Sequence, residues 1–122
     1  MTSCSQGTLG YFYFSINDVV QQSIKFDIFN NAILTTYYYE NNVVVNETKL
    51  KTNWQRCAAI KKDSEDKNVY DENGNLVYIE TINLLYYEGE IKRVIQFYVV
   101  DNVLIDYYFN QQYQTYREFS RR

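Results

Sequence analysis

The chain has 122 residues, 46% of them hydrophobic and 22% charged, with a formal net charge of −3. That length can bury a core without staples, and the composition is too apolar for a disordered chain. No apolar run approaches the length of a membrane-spanning helix, and acids and bases are mixed, which argues against a nucleic-acid-binding face. One domain, residues 1–122, is expected. Met1 to Gly10 lacks the basic and apolar regions of a secretory signal, so Cys4 and Cys57 are expected as free thiols in a reducing, cytoplasmic setting. Histidine is absent, which removes the commonest general base and metal ligand. No phosphate loop, zinc spacing or nucleophile elbow is present, so neither a catalytic residue nor a metal ligand is assigned.

In chain order, residues 11–16 read as a strand, but Ser15-Ile16-Asn17-Asp18 before Val19-Val20 also fits a helix cap. Ile24, Phe26 and Ile28 alternate with Lys25 and Asp27, the pattern of a half-buried strand. Strands follow over 33–40, 43–52 and 54–62, with the only tryptophan, Trp54, expected in the core. Lys61 to Glu72 is charge-rich and reads as an exposed connection. Further strands are expected over 76–87, 91–100, 103–109 and 113–119. The turn signals are Asn30-Asn31, Asn41-Asn42, Asn73-Gly74, Glu88-Gly89, Asp101-Asn102 and Asn110-Gln111. Asn, Asp and Gly tolerate the positive φ that tight hairpins demand. The sum is an all-β antiparallel meander of eight or nine strands that closes as a barrel. The competing architecture is an α+β sheet around one helix from residues 15–29, of cystatin-like or NTF2-like type.

Fourteen tyrosines stand out. Neighbours in a strand point to opposite faces, so Tyr37-Tyr38-Tyr39, Tyr86-Tyr87 and Tyr107-Tyr108 each send a ring to both sides of the sheet. Tyr38, Tyr86, Tyr98 and Tyr107 are the candidates to line an amphipathic cavity. Arg117 on the last strand is the first candidate to fork onto a ligand's acidic group, and Arg93 is the second.

A meander of this length resembles the calycin group, whose closed barrels hold small apolar ligands. A narrower likeness lies in the last third. Ile91-Lys-Arg-Val-Ile-Gln-Phe97, Asp101-Asn102-Val103-Leu104 and Tyr116-Arg-Glu-Phe-Ser-Arg-Arg122 resemble the closing strands of S-type phycobiliprotein chromophore lyases. Gly10-Tyr11-Phe12 departs from the Gly-x-Trp of that family and has no nearby arginine. The resemblance implies an open-chain tetrapyrrole as ligand, an acceptor protein as partner and the plastid stroma as a second possible location.

The function expected from these residues is a non-catalytic barrel for a small, largely apolar or conjugated ligand. Any enzymatic role would be the bilin transfer that the resemblance implies. The rival expectation is a small protein-interaction module, such as a viral or bacterial inhibitor or immunity protein.

Overall fold

A computed structural model describes residues 3–5, 9–110 and 115–121. Among them there is no helix, and the strands are β1 (Ser3–Ser5), β2 (Gly10–Ile16), β3 (Val19–Phe26), β4 (Asn31–Glu40), β5 (Val43–Ile60), β6 (Tyr78–Glu88), β7 (Ile91–Val100), β8 (Val103–Asn110) and β9 (Thr115–Ser120). The strands from β2 to β9 pair antiparallel with their neighbours in sequence, and β2 also meets β9 through Tyr13 opposite Ser120. An eight-stranded meander therefore closes into a barrel. The short β1 lies outside this ring and pairs with the lower part of β5.

The helix alternative over residues 15–29 is overturned. Asn17 (φ 51°) and Asp18 (φ 64°) form a two-residue turn with both φ positive, and β3 follows at once. The cap-like residues had a second use, because a type I′ turn selects the same polar types. Asn41-Asn42 and Asp101-Asn102 make the same turn, as the sequence indicates. At the β6–β7 hairpin the turn sits one residue later than expected. Gly89 (φ 66°) leads it and Glu90 follows, the arrangement in which glycine takes the first central position. The turn expected at Asn110-Gln111 lies partly outside the described residues.

Three longer turns share one device. Asp27, Asp63 and Asp71 each accept, through Oδ1, backbone N–H groups two and four residues on, at 2.9–3.0 Å. The residue three positions on has positive φ: Asn30 (69°), Asp66 (63°) and Gly74 (80°). The aspartate side chain thus replaces turn hydrogen bonds the backbone cannot make. The charged stretch after β5 is accordingly two small hairpins, bridged at Lys62–Asn68 and Tyr70–Leu76.

β5 is a single strand of eighteen residues, where two were expected. Its first part pairs with β4 and its second with β6, and Asn53 is opposite both Asn31 and Leu85. No breaker separates Thr52 from Trp54, so the strand runs on while its neighbours change. Trp54 is 1% exposed, as the alternation before it indicates. Its Nε1 donates to the Asp27 carbonyl at 3.0 Å, so its one polar atom is satisfied in the core. Phe26 meets it edge to face at 5.2 Å, and Phe12 meets Phe26 at 6.0 Å. Leu9, Ile24, Ala32, Leu34, Ile82, Leu84, Phe97, Leu104 and Phe119 complete the core.

The free-thiol expectation is overturned. Cys4 of β1 and Cys57 of β5 are directly opposed and form a disulfide. The compartment argument that rested on free thiols loses that support. The bridge ties the N-terminal segment to the barrel across 53 residues of sequence. Cys4→Ser is expected to lower the unfolding free energy by about 2–4 kcal/mol, the usual worth of such a link. Urea unfolding in the absence of reductant checks this, and an unchanged midpoint would show that the bridge contributes nothing.

A second expectation concerns Asp27. Its carboxyl is held below its ordinary value of 3.8, chiefly by the backbone hydrogen bond from Asn31, which outweighs the opposing effect of burial, with a lesser contribution from that of Phe29. Because the folded value is the lower one, the contribution is present above the ordinary value and lost as pH falls through the folded one. Asp27→Ala should therefore unfold at lower urea than the parent at neutral pH. The gap should close in acid below the folded value. A gap constant with pH would contradict the role given to the carboxylate.

Candidate functional site

Strand direction sorts the turns into two groups. The hairpins at Asn17-Asp18, Asn41-Asn42 and Gly89-Glu90 stand at one end of the barrel, here the hairpin end. The Asp27–Asn31 turn, the double hairpin of residues 61–77 and the Asp101-Asn102 turn stand at the other. Alternation from core residues fixes which positions face inward. On β4, Leu34 is in the core, so Thr36 and Tyr38 face inward above it. On β6 and β7, Leu84 is opposite Ile95, so the next inward pair toward the hairpin end is Tyr86 opposite Arg93. On β9, Phe119 is in the core and Arg117 is the next inward residue.

Four of the candidate residues, Tyr38, Tyr86, Arg93 and Arg117, therefore occupy inward-facing positions in the same half of the barrel. They are not equally enclosed. Arg117 is 6% exposed and Tyr86 is half-buried, while Tyr38 and Arg93 stand exposed at the rim. Arg93 donates from Nε to Glu88 at 3.2 Å, across the β6–β7 hairpin. Tyr98 is separated from the set. Its neighbour Phe97 faces the core, so Tyr98 points outward, and it lines a cleft of about 550 Å³ with Ile60, Lys61 and Ile79 toward the other end. Tyr107 belongs to β8, but its side chain lies outside the described residues.

Arg117 is the chemical centre of this half. Its Nη2 donates to Asp106 Oδ2 at 2.5 Å, and its Nη1 donates to Gln22 Oε1. Its guanidinium carbon lies 5.1 Å from the Phe119 ring and 5.9 Å from that of Phe14. The local sequence explains the placement. Asp106 and Arg117 are directly opposite in the β8–β9 register, each two residues beyond a core residue, Leu104 and Phe119. Gln22 is opposite Phe14 on one side and Thr36 on the other, and its Nε2 donates to Thr36 Oγ1 at 2.9 Å. A polar layer (Gln22, Thr36, Asp106, Arg117) thus caps the aromatic layer beneath it. Burial pushes the Arg117 guanidinium below its ordinary value, and the hydrogen bond and charge of Asp106 pull it back up. It remains a cation, since guanidinium does not deprotonate in proteins.

Sequence reasoning selected Arg117 and missed Asp106 and Gln22. A signal for Asp106 was available. It is the only charge in the strand Val103–Asn110, at an alternation position that Leu104 makes inward. Gln22 carried no comparable mark.

What the layer can do chemically is limited and specific. It offers donors and acceptors held in one hydrogen-bonded layer, with the Phe14 ring against the guanidinium and Tyr86 at an inward position of the same half. Among the described residues no group of three His, Cys, Asp or Glu side chains is placed to hold a metal ion, and no helix is long and apolar enough to cross a membrane. No family model, curated protein or solved structure matches the chain.

The ion pair yields a stability prediction. Removing one partner of a buried pair leaves the other uncompensated, which costs about 3–5 kcal/mol. Arg117→Ala should carry that penalty. Arg117→Met combined with Asp106→Leu should recover most of it, because an apolar pair of similar volume avoids burying charge. Thermal unfolding of the two variants decides the matter. Equal destabilisation of both would mean that the pair is not the dominant interaction of Arg117.

Proposed function

We propose that the barrel binds a small, largely apolar ligand at its hairpin end, with an acidic or other polar group of the ligand directed at Arg117. The observation that carries this reading is the shared inward placement of Arg117, Tyr86, Tyr38 and Arg93 in one half of the barrel. A guanidinium in a buried polar layer, beside aromatic rings, suits a molecule with a polar head and a flat or flexible apolar body. The Asp106 carboxylate already neutralises the Arg117 charge. The ligand's head must therefore share the guanidinium fork, and its affinity is modest for each contact it makes.

An open-chain tetrapyrrole is one ligand of this class. It is the form that the resemblance to chromophore lyases suggests, together with delivery to an acceptor protein in a plastid stroma or cytoplasm. A fatty acid is the other probe of the same chemistry. The reading is non-catalytic. The aromatic layer around Trp54 favours the rival interaction module in one respect, since it fills the opposite half of the barrel with side chains and leaves that half no room for a ligand.

Titration with a bilin and with a fatty acid, followed by absorbance and by Trp54 emission, tests the reading. Saturable binding is expected for at least one of them. The Arg117→Gln, Asp106→Asn variant keeps the layer polar and uncharged. It should bind roughly 10- to 150-fold more weakly, since a hydrogen bond to a charged group contributes about 1.5–3 kcal/mol. Absence of saturable binding with both probes, or equal affinity in the variant, would move the assignment to the interaction module.

A further inference from the structure

The rim of the hairpin end carries an apolar surface that neither the core nor the polar layer uses. On the β2–β3 hairpin, Ile16 and Val19 flank the turn and are exposed. On the β6–β7 hairpin, Tyr87, Ile91 and Val94 are exposed. The β4–β5 hairpin contributes Val43, Val44 and Val45, at 62%, 46% and 54% exposure. Val43 and Val44 are neighbours on opposite faces of the strand and both are exposed, so neither face is covered there, and Val45 is the extra residue where the pairing skips from Asn46 to Val44. Continuing the β5–β6 register sets Glu88, the last residue of β6, level with Leu50. The triplet therefore stands beyond the β6–β7 hairpin. Clustered exposure of this kind on hairpins at one end marks an interaction surface.

The charges on the same hairpins say what fits there. Asp18, Glu40, Glu88 and Glu90 lie at the turns, against Lys92 and Arg93, and Arg93 is already paired with Glu88. Among the described residues Asp18, Glu40 and Glu90 have no ion-pair partner, and neither have Lys92 and Lys51, so the unpaired charge of these hairpins is acidic by one. A second copy meeting this end would bring like charges together, and an anionic lipid surface would be repelled in the same way. Strand addition along the upper edge of β5 is opposed by Lys49 and Lys51 and by the register shift at Tyr38/Tyr39, features that blunt exposed edges.

We propose that the hairpin end docks a cationic protein segment that carries apolar side chains, seated on Val43–Val45 and held by Asp18, Glu40 and Glu90. The surface stands apart from the polar layer, so the inference does not depend on a ligand inside the barrel.

The test uses the full chain, oxidised, and a fluorescent synthetic peptide of alternating leucine and lysine, with a leucine–glutamate peptide as control. Anisotropy should show saturable binding of the lysine peptide only, weakening as salt screens the charges. Neutralising the rim with Asp18→Asn, Glu40→Gln and Glu90→Gln should weaken it by roughly 3- to 150-fold, the range for three exposed ion pairs. Val43→Ser with Val45→Ser should also weaken it, with Trp54 emission unchanged to show that the fold is intact. Equal binding of both peptides, or full affinity in the neutralised protein, would overturn the proposal. So would binding to phosphatidylserine vesicles without binding to the lysine peptide, or self-association of the unmodified chain in sedimentation.

Discussion

The structure depends on one strand serving two neighbours. β5 leaves β4 at Asn53 and pairs from that residue onward with β6. Without the change of partner, β4 and β6 would end two separate edges and the meander would stay an open sheet. Trp54 sits immediately after the change, buried and anchored from its backbone N–H to Asn30 and from its ring to Asp27. The Asp27 turn, itself set by one carboxylate, thus aligns the tryptophan that fills the barrel where the strand switches. Edge-to-face contacts through Phe26 and Phe12 carry the packing across to β2. The opposite seam is narrower, with Tyr13 opposite Ser120 as the described pair between β2 and β9.

This closure divides the interior into two chemistries. Around Trp54 it is aromatic and aliphatic and filled. Toward the hairpin end it becomes polar, with Arg117, Asp106, Gln22 and Thr36 in one hydrogen-bonded layer. A buried ion pair is an expensive way to gain stability, because desolvation offsets most of its attraction. An aliphatic pair in its place would give an ordinary core. That a small barrel keeps charge in this layer, beneath the inward positions of Tyr38, Tyr86 and Arg93, is the physical ground for reading the layer as a site. The rim above it has the inverse character, apolar on the strands and acidic at the turns.

Much of the architecture was legible because each two-residue turn constrains φ locally. β7 runs over Ile91–Val100, as the pattern between Gly89-Glu90 and Asp101-Asn102 indicates. Residues 15–19 were ambiguous because a helix cap and a type I′ turn ask for the same side chains, and only the pairing of β2 with β3 decides between them. The continuity of β5 was hidden because its change of neighbour leaves no mark in local composition. The disulfide depends on a register between segments 53 residues apart, which no spacing rule supplies. Within the site, Arg117 was legible as an alternating arginine on the last strand. Its partners were not, since Asp106 and Gln22 acquire meaning only when β8, β9, β2 and β3 are brought side by side.

The barrel closes where β5 changes neighbours, and nuclear Overhauser contacts at Asn53 examine that directly. In a closed barrel, backbone protons of Asn53 lie across from Asn31 on one side and from Leu85 on the other, and contacts to both are predicted. Contacts to Asn31 without any to Leu85 would describe an open sheet. The inward half-barrel that places Arg117 beneath Tyr38 and Tyr86 would then not exist.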